Sequence, residues 1–122
     1  MVVNDQVGCP TWAGSLAKAS LQVIEGMCGR NGVRPQAGLY HYCDDTVTSW
    51  YDFARLIFDL AMEMDLLNSI PVVKPIQSAD FPQLASRPMY SVLDTSAIRQ
   101  HLHIAAPSLQ QSVVACLQEC RN

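Results

Sequence analysis

Val2-Val3-Asn4-Asp5-Gln6-Val7-Gly8-Cys9-Pro10-Thr11 opens the chain, and the rest of the architecture follows from how it is read. Valine is β-branched and favours extended backbone, so residues 2–7 are expected as a short strand. Gly8-Cys9-Pro10 then turns the chain. Thr11 stands where a helix should begin, because its hydroxyl can accept from the unpaired amides of a first helical turn. Ala13, Leu16, Ala17, Val23, Ile24 and Met27 follow at helical spacing and predict the buried side of that helix. Gly26, Gly29 and Gly32 end it, and residues 30–36 form a polar loop with Pro35.

Beyond that loop, Gly38-Leu39-Tyr40-His41-Tyr42-Cys43 is expected as a strand from its aromatic content, and Asp44-Asp45-Thr46 turns the chain. Ser49 with Asp52 three residues on is a helix-start signal, with Asp in place of the preferred Glu. Trp50, Phe53, Ala54, Ile57, Phe58 and Ala61 then trace an amphipathic face that predicts a helix to about residue 66. Residues 70–76 are extended, and Pro71 and Pro75 confine them to an edge or an isolated pairing. Residues 77–88 are irregular. Thr95-Ser96 opens a short helix through Leu102. Pro107 suits the first turn of a last helix, whose buried stripe is Leu109, Val113, Cys116, Leu117 and Cys120. The class is α+β: one helix-rich domain over residues 1–122 with a few short strands.

The chain has 122 residues, one domain's worth. Apolar residues make up 49% and charged residues 16%, below the ~25% usual for soluble domains. Two readings fit: a surface normally covered by another domain, or a helical protein with an ordinary core. The net charge of −3 and singly scattered lysines and arginines argue against nucleic acid as a partner. Apolar runs are short and broken, so no segment is expected to span a membrane. Met1-Val2-Val3-Asn4-Asp5 lacks the basic and apolar regions of a signal peptide and reads like a strand cut from a longer chain. The five cysteines are odd in number and match no disulfide framework, which points to free thiols and the cytoplasm.

Several motifs invite a chemical reading. Gly26-Met27-Cys28-Gly29-Arg30-Asn31-Gly32 has the glycine spacing of a dinucleotide loop, but such a loop must follow a strand and open a helix. This one follows a helix, so no cofactor-binding residues are assigned. Oxidoreductases of the short-chain type use Tyr-x-x-x-Lys, the tyrosine giving a proton that the lysine acidifies. Four residues after Tyr40, Tyr42, Tyr51 and Tyr90 stand Asp44, Thr46, Arg55 and Asp94, so no catalytic residue is assigned. His101, His103, Cys116 and Cys120 lack the tight spacing of structural zinc ligands and are read as surface histidines and buried thiols. Arg87 precedes Pro88, which holds its backbone extended, and its guanidinium matches a phosphate in geometry. A surface or domain-interface ion pair is the other reading of Arg87. Trp12, beside the turn, could stack on a base or sugar, and a hydrophobic plug between domains is the preferred reading.

The opening stretch, taken with Ser86-Arg87-Pro88-Met89-Tyr90-Ser91-Val92-Leu93-Asp94, resembles the substrate-binding half of the dTDP-4-dehydrorhamnose reductase family of extended short-chain dehydrogenases. Gly38-Leu39-Tyr40-His41 and Thr48-Ser49-Trp50-Tyr51-Asp52-Phe53-Ala54 resemble the family's second strand and helix. Pro75-Ile76 through Asp80-Phe81-Pro82 and the closing residues 109–119 continue the resemblance in order. It implies a preceding Rossmann domain, absent here, that binds NADPH or NADH and reduces dTDP-4-dehydro-L-rhamnose to dTDP-L-rhamnose. On that resemblance Gln6, Val7 and Gly8 would line the sugar-nucleotide site and Arg87 would face the diphosphate. This stretch alone would bind no cofactor. A homodimer is a possibility the family raises. The family often has Asp where Ser15 stands, and of the glutamates of its magnesium-bridged dimer Glu119 matches one while Gly14 replaces another, so no metal is expected. Rival readings are another sugar-nucleotide epimerase or reductase of the superfamily, and a non-catalytic relative such as the regulatory subunit of methionine adenosyltransferase.

Overall fold

The opening stretch forms two strands rather than one. A computed structural model describes residues 1–30, 32, 34–82 and 85–121. β1 (Val2–Val3) runs parallel to β4 (Pro75–Ile76), whereas β2 (Val7–Gly8) runs antiparallel to β3 (Thr48–Ser49). The break falls at Asn4-Asp5, whose side chains bond to Ser49 and Ser78 instead of lying along a ladder. Pro75 is tolerated because β4 offers carbonyls here: Val2 N donates to Lys74 O and Asn4 N to Ile76 O.

α1 (Ala13–Met27) begins one residue later than the Thr11 cap would set it. Thr11 is not the cap. Its hydroxyl donates to Cys9 O and accepts from Asp44 N. The cap comes from far along the chain, where Asp44 Oδ2 accepts from Trp12 N at 3.1 Å and from Ser15 Oγ at 3.3 Å. A carboxylate there also suits the positive end of the helix dipole. The buried face of α1 is Ser15, Ala19 and Gly26, while Leu16, Ile24 and Met27 are exposed. The apolar spacing thus pointed to the wrong side: the Asp44 bond fixes the helix with its small residues inward. At its end, Gly29 has φ +70, Arg30 N donates to Glu25 O and Gly29 N to Gly26 O. That is a Schellman cap, so the glycine-spaced motif is a helix terminus. Asn31 of that motif lies outside the described residues, as do residues 83–84 of the irregular segment.

Residues 38–43 form no strand, and Gly38 stands in a bend. Tyr40 and Tyr42 alternate inward as in a strand and pack on a core of Ala19, Ile98, Leu102 and Ile104, yet no strand pairs with this backbone among the described residues. α2 (Trp50–Glu63) starts as expected, with Ser49 Oγ accepting from Asp52 N at 3.0 Å. It stops short of residue 66 because Asp65 turns left-handed at φ 55, letting Leu66 N reach Ala61 O. Trp50 is 45% exposed and lies outside the core. The second core is Leu60, Leu109 and Val113, with Phe53, Leu56, Ile57, Val114 and Leu117 against it.

α3 (Ser96–Leu102) matches its expected span, its first amide bonded to Asp94 Oδ1. α4 (Leu109–Cys120) is capped by Ser108 and Gln111 in a reciprocal box, so Pro107 lies ahead of the helix rather than in its first turn. Its buried stripe narrows toward the end, where Cys120 is exposed. Among the described residues, four α-helices and four two-residue strands make a small α+β domain with two cores, α1 with α3 and α2 with α4. Ser15 and Ser112 face each other at 3.4 Å between them.

Candidate functional site

A cleft of about 380 Å³ lies against β1, lined by Val2, Val3, Gln6, Trp50, Phe81 and Arg87. Gln6 and Arg87, separate in sequence, meet here. Gln6 is buried, and its Nε2 donates to Ser78 Oγ at 2.9 Å. Its amide nitrogen is therefore already engaged. Arg87 is exposed and has no hydrogen-bond or ion-pair partner among the described residues. The described ion pair is elsewhere, between Arg99 and Asp45 at 2.7 Å. An unpaired guanidinium beside two half-exposed aromatic rings is arranged to meet an anion carrying a flat or apolar group.

Gly8 opens instead on a smaller cavity of about 160 Å³, shared with Cys9, Thr11, Cys43, Trp50 and Ser91. A Cβ on Gly8 would stand 2.8 Å from Ser91 Oγ, so the position admits only glycine without a shift of Ser91. Val7 lines neither space. Its N–H donates to Met89 O at 2.8 Å and its carbonyl accepts from Ser91 N at 2.9 Å, so its backbone is committed to the fold. The site thus gathers Gln6 and Arg87 directly, Gly8 at one remove across Trp50, and Val7 only as support.

Trp50 and Phe81 were missed as lining residues. Trp50 reads from sequence as the first member of an apolar helical stripe, and only its position at the helix mouth hints otherwise. Phe81 sits between Asp80 and Pro82, a context without periodicity to mark it. Trp12 lies over Gly14, where a Cβ would come within 2.5 Å of the indole, and Lys18 Nζ sits 5.4 Å from its ring centroid. The ring forms a wall between two cavities flanking the start of α1.

Electrostatics separates the thiols. Burial, with Cys43 close by, pushes the Cys9 thiol up to about 11. Burial also raises Cys116, which stands near Cys120. All five cysteines are free. His101 is edge-on to Tyr40, and among the described residues no three His, Cys, Asp or Glu side chains gather as metal ligands would. No helix among them is long and apolar enough to cross a membrane.

Residues 1–122 match the RmlD substrate binding domain along their whole length. The chain belongs to that family. It is 38% identical over 112 residues to the dTDP-4-dehydrorhamnose reductase of Aggregatibacter actinomycetemcomitans, covering 92% of this chain and 37% of that protein. The reductase of Escherichia coli K12 is 32% identical over 118 residues, 97% of this chain and 38% of its own length. A crystal structure of the Bacillus anthracis reductase in complex with NADP superposes with a TM-score of 0.80 at 27% identity, over 97% of this chain and 37% of that one. The Clostridium acetobutylicum reductase superposes at 0.79 and 31% identity, over 99% of this chain and 38% of that one. The RmlD-type chain described here therefore spans little more than a third of the length of these relatives.

Proposed function

We propose that these residues are the sugar-nucleotide-binding part of a dTDP-4-dehydrorhamnose reductase acting in the cytoplasm. The observation that carries this reading is the cleft that sets an unpaired Arg87 beside Gln6, Trp50 and Phe81. Two of the residues expected to serve the substrate lie on it. The relatives' names supply the substrate, and the NADP-bound Bacillus anthracis reductase supports NADPH as the reductant. A nucleotide-binding domain of the Rossmann type, with its Tyr-x-x-x-Lys pair, would carry the cofactor and the proton.

The role of this chain is then binding and orientation. Arg87 takes the diphosphate through two parallel N–H donors, and Trp50 and Phe81 offer apolar faces to the uncharged part of the nucleotide. Free thiols suit a reducing compartment. Arg87→Ala in the complete reductase carrying this chain tests the reading. Loss of a charged hydrogen bond worth about 1.5–3 kcal/mol should raise the KM for the sugar nucleotide roughly ten- to a hundredfold, with turnover changed less. Arg87→Lys should recover only part, since an ammonium lacks the two-pronged geometry. An unchanged KM with a lowered Tm would make Arg87 a structural residue and sink the proposal.

A further inference from the structure

The wall of the cleft that bears Phe81 and Arg87 is tied down at both ends by three consecutive residues. At its start, Ser78 N donates to both carboxylate oxygens of Asp5, at 2.9 and 3.0 Å. Ser78 Oγ donates to Asp5 Oδ1 at 2.7 Å and accepts from Gln6 Nε2 at 2.9 Å. At its far end, Val7 N donates to Met89 O and Ser91 N donates back to Val7 O. The two ties differ in kind. The Val7 tie is backbone pairing, which any residue would make. The Asp5 tie is made of side chains and is specific to them.

Between the ties, Phe81 and Arg87 are exposed, and nothing described holds the Arg87 guanidinium. Asp5 caps the 3₁₀ turn Ser78–Asp80 that leads into Phe81, because Gln77, the residue before that turn, supplies no side-chain cap. The Ser78 bonds also hold the Asp5 carboxyl below its ordinary range, so it stays an acceptor further into acid.

We propose that the Asp5–Ser78 contact is a latch that positions Phe81 and Arg87 at the cleft and thereby sets the affinity for the sugar nucleotide. This rests on reading Arg87 as the diphosphate ligand. Asp5 and Ser78 are positioning residues: they touch the wall, not the substrate. An unlatched wall must be ordered again each time substrate binds, and that ordering opposes binding. Because the diphosphate is remote from the reacting carbonyl, the loss falls on uniform binding and shows in KM rather than kcat.

The test is steady-state kinetics on the complete reductase with Asp5→Ala, Asp5→Asn, Ser78→Ala and Ser78→Thr, with Arg87→Ala alongside. Asp5→Ala and Ser78→Ala should raise the sugar-nucleotide KM roughly five- to tenfold, with kcat and the KM for NADPH within about twofold of wild type. Ser78→Thr keeps the hydroxyl and should restore wild-type KM. Should Asp5→Ala fail to fold, Asp5→Asn, which retains one acceptor oxygen, should give a smaller rise in the same parameter. Hydrogen exchange should quicken at amides 79–81 and 85–87 and remain unchanged in α4. A raised KM for Arg87→Ala with wild-type KM for the latch variants would overturn the latch and leave the site standing. An unchanged KM for Arg87→Ala would overturn the site and the latch's part in affinity with it. Lower kcat and Tm at constant KM would make Asp5 a stabilising residue only.

Discussion

Asp44 is the most buried large side chain among the described residues, at 1% exposure, and it is polar. Its Oδ2 serves Trp12 N and Ser15 Oγ, while Oδ1 is buried without a partner. Removing the acceptor leaves the first turn of α1 uncapped and strips a buried serine of one of its partners, leaving it Trp12 O and Ser112 Oγ. Asp44→Ala should cost about 2–4 kcal/mol, read as a shift in the urea midpoint. Asp44→Asn preserves an acceptor and should cost less than half of that. A second residue-scale outcome concerns Cys9, whose thiol is pushed up to about 11. Only the thiolate reacts, so at pH 8 alkylation of Cys9 by iodoacetamide should run roughly a hundredfold slower than that of an unhindered peptide thiol. Peptide mapping of a timed labelling reaction measures this, and equal rates would show that the pocket around Cys9 is open to water. Arg87 stands out in the sequence because its chemistry and its proline neighbour are both local. Asp44 does not, since nothing near it in sequence says that it caps a helix 32 residues away.

At the scale of elements, α2 was read almost completely from sequence because its signals are local: Ser49 and Asp52 at the start, an apolar stripe along one side. The stripe also misled. An aromatic residue at the mouth of a helix has the same spacing as a core residue, and Trp50 lies 45% exposed over the cleft. Trp50→Ala should therefore cost under about 1.5 kcal/mol, against the 3–5 expected of a buried indole. Ser49→Ala should cost more than its size suggests, about 1–2 kcal/mol, because Ser49 Oγ caps α2 and also donates toward Asn4 and Asp52. Chemical denaturation of both variants checks the order, and a larger loss for Trp50→Ala would return that residue to the core. α1 and the 38–43 segment were read less well for a common reason. The rotation of a helix and the pairing of a strand are settled by partners distant in sequence. For α1 the partners are Asp44 and Ser112, polar groups that override the apolar spacing. For residues 38–43 the alternation of Tyr40 and Tyr42 was correct, but among the described residues no neighbouring strand makes a sheet with them.

The molecule as a whole is two small cores joined where Ser15 meets Ser112, with a cleft on the side where β1, Trp50, Phe81 and Arg87 converge. The sequence holds no Tyr-x-x-x-Lys pair, and the reductases it resembles carry nearly two-thirds of their length outside the matched region. On the proposed function, binding of the sugar nucleotide and delivery of hydride would belong to different parts of one enzyme. These residues alone should neither bind NADPH with micromolar affinity nor oxidise it. The most direct test is an exchange: these residues replace the matching third of the Aggregatibacter actinomycetemcomitans reductase, to which they are 38% identical over 112 residues. NADPH oxidation is then followed with and without the dTDP-4-dehydro sugar. The predicted result is oxidation that depends on the sugar nucleotide and weakens with Arg87→Ala through KM. A chimera that folds and binds NADPH, yet oxidises it no faster with the sugar nucleotide than without, would contradict the assignment.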